Sequence, residues 1–197
     1  CYMLESVENQ EVWGRYTFLG YDPKLEITCM NGEMCIRESG SEEGAKEPVA
    51  HPGAKIKEIL KEYTSPKVKD LPSFTGGLVG YFSYDYVKYS EPKLNLDADD
   101  QEGFKDVDLM LFDKVIAFDN LRQKIYIIAN ARTEDLEQEY DRCLAEIEEI
   151  VDLIEHGTPA QITPGKITSE FRPLFSEQEY CAMVEKAKHL SLIHISE

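Results

Sequence analysis

Apolar residues along this chain recur in two rhythms, one of period two and one of period 3.6. The run Cys1-Tyr2-Met3-Leu4 reads as a buried strand that ends abruptly in Glu5, Ser6 and Glu8. Val7, Glu8, Asn9, Gln10 and the residues after them read as a polar turn, and Tyr16-Thr17-Phe18-Leu19 as the returning strand. Leu25-Glu26-Ile27-Thr28-Cys29 alternates apolar and polar, the mark of a half-buried strand. Asn31-Gly32 follows, two residues that tolerate positive φ, and predicts a hairpin into Glu33-Met34-Cys35-Ile36. Residues 38–49 are polar and read as a solvated loop. Gly76 and Gly77 precede a strand bearing aromatics, and such glycines let a strand bend or another backbone come close. The apolar stretch from Leu109 to Phe118 reads as one long strand, with Lys124-Ile125-Tyr126-Ile127-Ile128-Ala129 returning beside it. Near-continuous apolar character on both legs predicts a hairpin covered on both faces.

The longer period marks helices. Pro52 opens one that runs to about Tyr63, with Ile56, Ile59, Leu60 and Tyr63 on one face. Thr133 reads as the N-cap of a second over 134–155, with Glu134 and Asp135 complementing its dipole. Leu136, Tyr140, Leu144, Ile147, Val151 and Ile154 form its expected core face. His156-Gly157 and Thr158-Pro159 end it. Residues 157–175, with Pro159, Pro164, Gly165 and Pro173, read as a linker. Ser176-Glu177-Gln178-Glu179 is a capping box that opens a third helix. Three hairpin signals without βαβ alternation predict an α+β fold: an antiparallel, sandwich-like β core with flanking helices.

Charge narrows the functional classes. The net charge of -17, from 38 acidic and 21 basic residues, repels phosphate backbones and anionic lipid. Nucleic-acid and membrane-surface roles are therefore set aside, and no run of eighteen apolar residues spans a bilayer. Cysteines at 1, 29, 35, 143 and 181 are odd in number and hold no Cys-x-x-Cys pair, which fits free thiols in the cytoplasm. The chain opens inside an apparent strand, which reads as a start downstream of the true N-terminus. Asp97, Asp99, Asp100 and Glu102 lack calcium-loop spacing and read as a solvated connection. The glycines at 76, 77 and 80 fit no phosphate-binding pattern, and His51 reads as a solvated helix end.

One place carries candidate chemistry. The first hairpin sets Glu5, Ser6 and Arg15 at one strand end. A carboxylate, a hydroxyl and a guanidinium suit the two ends of a free amino acid. An ordinary polar hairpin tip accounts for the same spacing. Met3-Leu4-Glu5-Ser6, followed by Gly14-Arg15-Tyr16-Thr17-Phe18-Leu19-Gly20, resembles the N-terminal region of the anthranilate synthase component I family. The run from Gly76-Gly77 through Gly80-Tyr81 to Tyr84-Asp85 resembles the same family and the wider group of chorismate-using enzymes.

The resemblance implies that Leu4, Glu5 and Ser6 belong to a feedback site for L-tryptophan, with Arg15 as the nearest cation on the returning strand. It places the aromatic strand behind that pocket and gives Tyr81, Tyr84 and Asp85 no chemistry. It implies an enzyme that makes anthranilate and pyruvate from chorismate with Mg2+ and ammonia, the ammonia coming from a separate glutaminase component II. The family's catalytic histidine, magnesium carboxylates and chorismate contacts lie in a C-terminal domain beyond this chain. No catalytic residue, metal ligand or cofactor is therefore expected within it, and the fragment is expected to be inactive by itself. A Pro-Tyr-Met segment of that domain completes the pocket, so the chain carries half of it.

The implied layout is a regulatory domain over 1–156, a linker over 157–175 and the first helix of a truncated chorismate-binding domain over 176–189. Residues 190–197 depart from the family's continuation and read as a non-native tail. Two other readings stand beside this one. One is the sister enzyme aminodeoxychorismate synthase component I, of the folate pathway. The other is a free-standing amino-acid-binding regulatory module.

Overall fold

Asn31 and Gly32 adopt φ of 51° and 81°, the left-handed pair that a tight hairpin requires. The computed structural model that shows this describes residues 1–6, 14–91, 93, 94, 96 and 100–195. The turn joins β3 (Leu25–Met30) to β4 (Glu33–Glu38). Along β3 the alternation holds: Leu25, Ile27 and Cys29 are buried between the half-buried Glu26 and Thr28. Ahead of them β1 (Tyr2–Leu4) pairs antiparallel with β2 (Tyr16–Gly20), setting Tyr2 opposite Gly20 and Leu4 opposite Phe18. The turn predicted over Val7 to Gln10 lies outside the described residues.

The polar stretch after β4 is not all loop. It contains β5 (Ala45–Pro48), paired antiparallel to β4. This strand buries no apolar face, so no period betrays it; ladder bonds and a Lys46–Glu33 ion pair hold it at the sheet edge. β6 (Gly77–Phe82) pairs with β7 (Val107–Phe112). Gly80, at φ 154°, is needed there because a Cβ would overlap the carbonyl oxygen of Asp108.

The single long strand expected from Leu109 to Phe118 is two strands. β7 ends at Phe112, and β8 (Lys114–Asp119) begins after Asp113. The Asp113 carbonyl turns to accept from the backbone N–H and the side-chain amide of Asn130, both at 2.8 Å, and its carboxylate takes Lys24. The chain thereby changes sheets: β7 belongs to the order β5-β4-β3-β7-β6, β8 to the order β1-β2-β8-β9. β9 (Lys124–Ala129) returns antiparallel to β8 as expected. Cover on both faces holds for Val115, Ile116 and Ala117 but fails on β9, an edge strand whose Ile125 is exposed. The fold class is α+β with two antiparallel sheets.

α1 (Pro52–Glu62) begins at Pro52 and buries Ile56. It closes a core of Ile27, Cys29, Met34, Val107 and Leu109, with Ile59 and Leu60 packed against it. Each such side chain contributes on the order of 1.5–3 kcal/mol by leaving water. A 3-10 helix over Tyr84–Tyr89, where no separate element was anticipated, adds Tyr86 and Tyr89 to the same core. β6 lies at the edge of this five-stranded sheet with Tyr81 and Phe82 exposed.

α2 (Leu136–His156) departs from expectation twice. Its N-cap is Asp135, not Thr133. Instead of a side-chain cap, the Glu139 carboxylate accepts from the Arg132 N–H at 3.1 Å, while Arg142 reaches the Asn130 carbonyl at 3.0 Å. These bonds set both start and rotation. Cys143 and Ile150 are buried and Ile147 is half-buried, whereas Leu136, Tyr140, Leu144, Val151 and Ile154 are exposed. The helix lies against β9 on the side that carries Arg142, whose guanidinium meets Glu139, Glu146 and Asp113.

The chain divides into two compact units, Cys1–Gly157 and Thr158–Glu197. The second holds α3 (Glu177–Ile195), opened by the expected capping box. There the Glu179 N–H donates to the Ser176 hydroxyl, and the Glu179 carboxylate accepts from the Ser176 N–H at 2.8 Å.

Candidate functional site

Leu4 is the last residue of β1 and stands opposite Phe18. Glu5 and Ser6 continue beyond that pair as exposed chain. Across from them β2 starts at Tyr16, with Arg15 one residue earlier. The backbone thus brings Leu4, Glu5, Ser6 and Arg15 to one end of one hairpin, as the sequence suggests. Alternation places Leu4, Tyr16 and Phe18 on a single face of the sheet. Tyr16 and Phe18 rings lie 5.8 Å apart, and Phe18 meets Phe74 edge-on at 5.6 Å. This end of the hairpin therefore offers an apolar, aromatic surface beside a carboxylate and a hydroxyl.

The Arg15 side chain does something the sequence does not reveal. Its Nε donates to Asp119 Oδ1 at 3.0 Å and its Nη2 to Oδ2 at 2.7 Å, while its face covers the Tyr16 ring at 4.8 Å. Among the described residues its hydrogen bonds go to Asp119, not to Glu5 or Ser6. The Asp119 side chain is fully buried and also accepts from the Arg122 N–H at 3.0 Å. The Arg15 bonds are the chief reason its carboxyl is held down to about 2, and the carboxylate in turn raises the guanidinium. Asn120 extends the contact: its N–H donates to the Arg15 carbonyl at 2.8 Å, its amide to Gly14 O at 3.4 Å and Thr17 Oγ1 at 3.3 Å. The only sequence sign of this pair was an Asp-Asn turn after an apolar strand, which reads first as a hairpin tip.

Tyr2, on β1, is a second feature the pattern conceals. Its ring packs on Phe112 at 4.7 Å and lies across Gly20, where any Cβ would collide with it. Among the described residues its hydroxyl is buried without a partner, and burial pushes it up to about 12.

A polar convergence elsewhere ties structure together. Asp106 accepts from Lys88, from the Tyr89 hydroxyl and from the Asn31 N–H, each at 2.7 Å. Burial alone would raise the Asp106 carboxyl, but these donors outweigh it and hold it below its ordinary range. The Tyr89 hydroxyl also accepts from the Gly32 N–H, so this network pins the β3–β4 turn. Among the described residues no three His, Cys, Asp or Glu side chains group as a metal set, and no helix is long and apolar enough to cross a membrane. Asp97 and Asp99 lie outside the described residues. The five cysteines are free thiols.

A family model described as chorismate binding enzyme matches residues 1–190. Anthranilate synthase component 1 of Acinetobacter calcoaceticus is 33% identical, over 95% of this chain and 38% of that protein. The protein of the same name from Aquifex aeolicus is 35% identical, over 94% of this chain and 38% of its own length. The chloroplastic anthranilate synthase alpha subunit 2 of Arabidopsis thaliana is 30% identical, over 96% of this chain and 34% of its own. The chain thus spans under two fifths of the length of these relatives. A crystal structure of anthranilate synthase component I from Streptococcus pneumoniae superposes with a TM-score of 0.56 at 20% identity, covering 95% of this chain and 41% of that one. At that identity the likeness bears on the fold.

Proposed function

This chain belongs to the chorismate binding enzyme family, and on that premise we propose that it is the N-terminal part of an anthranilate synthase component I. The whole enzyme would convert chorismate and glutamine-derived ammonia to anthranilate and pyruvate, in tryptophan biosynthesis. A glutaminase component II would supply the ammonia. Chorismate and Mg2+ would be held by residues outside these 197. The part in hand would carry half of the tryptophan feedback site at Leu4, Glu5, Ser6 and Arg15.

The observation that supports the site is the open end of the first hairpin, where Glu5 and Ser6 stand exposed beside an aromatic face. Glu5 meets the ligand's ammonium, Ser6 hydrogen-bonds either end, and Leu4 with the neighbouring rings receives the indole. Arg15 sits at the rim. Inhibition then works by coupling: tryptophan favours the state in which both halves of the pocket touch it.

The test uses the full-length protein from the same gene. Initial rates of anthranilate formation are measured against tryptophan concentration for wild type and Ser6→Ala. The half-inhibiting concentration should rise by about tenfold, as expected for one hydrogen bond to a charged group. Unchanged inhibition rejects the site, and aminodeoxychorismate as product rejects the branch.

A further inference from the structure

We propose that Asp119, the last residue of β8, and Asn120, the first residue after it, are positioning residues of the tryptophan site, and that Arg15 belongs with them as a strut, not as the receptor of the ligand's carboxylate. This rests on the site reading above. β1 is an edge strand, joined to its sheet through β2 alone. The place of Glu5 and Ser6 is therefore set by where β2 begins. That beginning is held from the end of β8 and the residue after it: Asp119 takes the Arg15 side chain by two bonds, and Asn120 takes the Arg15 carbonyl, the Gly14 carbonyl and the Thr17 hydroxyl. The register agrees, with Tyr16 directly opposite Asp119.

Arg15 is a poor receptor for a second carboxylate. One edge of its fork is filled by Asp119, and its charge is neutralised there. A ligand carboxylate approaching the other edge would face Asp119 across the same guanidinium, at a cost in like-charge repulsion. Pulling Arg15 away would leave a fully buried carboxylate without its cation. The ligand carboxylate is then left to Ser6 and to donors outside the Asp119 pair.

The experiment measures equilibrium binding of L-tryptophan and of tryptamine, which lacks the carboxylate, to the full-length protein. Arg15→Gln, Asp119→Asn, Asn120→Ala and the Arg15→Gln/Asp119→Asn double variant are compared with wild type. A strut predicts that Arg15→Gln and Asp119→Asn each weaken tryptophan by about five- to tenfold and tryptamine by the same factor. The double variant is then no worse than either single, because both remove one contact. Asn120→Ala, the mildest change, gives about a threefold loss, and Arg15→Lys recovers part of the loss. A role confined to stability would lower Tm and leave binding by the folded protein unchanged, which overturns the proposal. A receptor predicts that Arg15→Gln abolishes the preference for tryptophan over tryptamine while Asp119→Asn retains it; that result also overturns it. If Asp119→Asn does not fold, Asn120→Ala and Arg15→Lys carry the test. Should Ser6→Ala leave binding unchanged, the site reading fails and this inference with it. Should Ser6→Ala weaken binding while the Arg15, Asp119 and Asn120 variants do not, this inference alone fails.

Discussion

At the scale of single residues, carboxylates paired with arginines shape how the fold responds to acid. Asp119 is held at about 2 by Arg15, below its ordinary 3.8, and Glu139 at about 2 by Arg142, below 4.5. A group whose carboxyl is depressed in the folded state adds stability above its unfolded value and loses it as pH falls through the folded one. The protein should therefore hold its Tm down to about pH 4.5 and lose it steadily toward pH 2. Circular-dichroism melts should show a shallower loss in Asp119→Asn over the lower part of that window. Gly80 makes a second residue-level case. Gly80→Ala places a Cβ onto the Asp108 carbonyl at a φ of 154°. Strain at such a backbone position costs on the order of 1–3 kcal/mol before the clash is counted, and urea unfolding should show at least that loss. The glycine signal was legible as a run of Gly residues ahead of a strand; which backbone they admit was not.

At the scale of elements, periodicity reports that a helix is amphipathic without reporting how far it is rotated. α2 was legible as a helix, and its end at His156-Gly157 was too. Its packed side was not, because Arg142 reaches out of the helix to the Asn130 carbonyl and to Asp113. A sequence pattern ranks a guanidinium as outward; a corner lined with acceptors draws it inward. The consequence is measurable. Ile150→Ala should cost about 2–4 kcal/mol in urea unfolding of this chain, from lost burial and the cavity left behind. Leu144→Ala, on the expected core face but exposed, should change stability by about 0.5 kcal/mol or less. Equal losses at the two positions would contradict the observed rotation. β5 teaches the same from the other side: an edge strand held by main-chain bonds has no apolar period to read.

At the scale of the whole molecule, the two sheets meet in one chain at Asp113, where the apolar run changes partners. The proposed division of labour places catalysis elsewhere, so this chain alone, supplied with chorismate, ammonium and Mg2+, should form no anthranilate. Product fluorescence above a protein-free control would contradict that. By itself the sequence determined the local pieces: the β3–β4 turn from Asn31-Gly32, the α1 face from Ile56, the capping box at Ser176, the α+β class and the family. Those signals depend on neighbours within a few residues, so a period or a turn pair suffices to show them. It also marked the hairpin end at Leu4, Glu5, Ser6 and Arg15 as a place of candidate chemistry. Only tertiary structure decided what Arg15 does there. Its partner Asp119 lies 104 residues away in sequence, on a neighbouring strand, and meets Arg15 only when β2 and β8 pair. The break at Asp113 and the rotation of α2 have the same origin. Each follows from a polar group finding a distant partner in a low-dielectric place, and no local period carries that information.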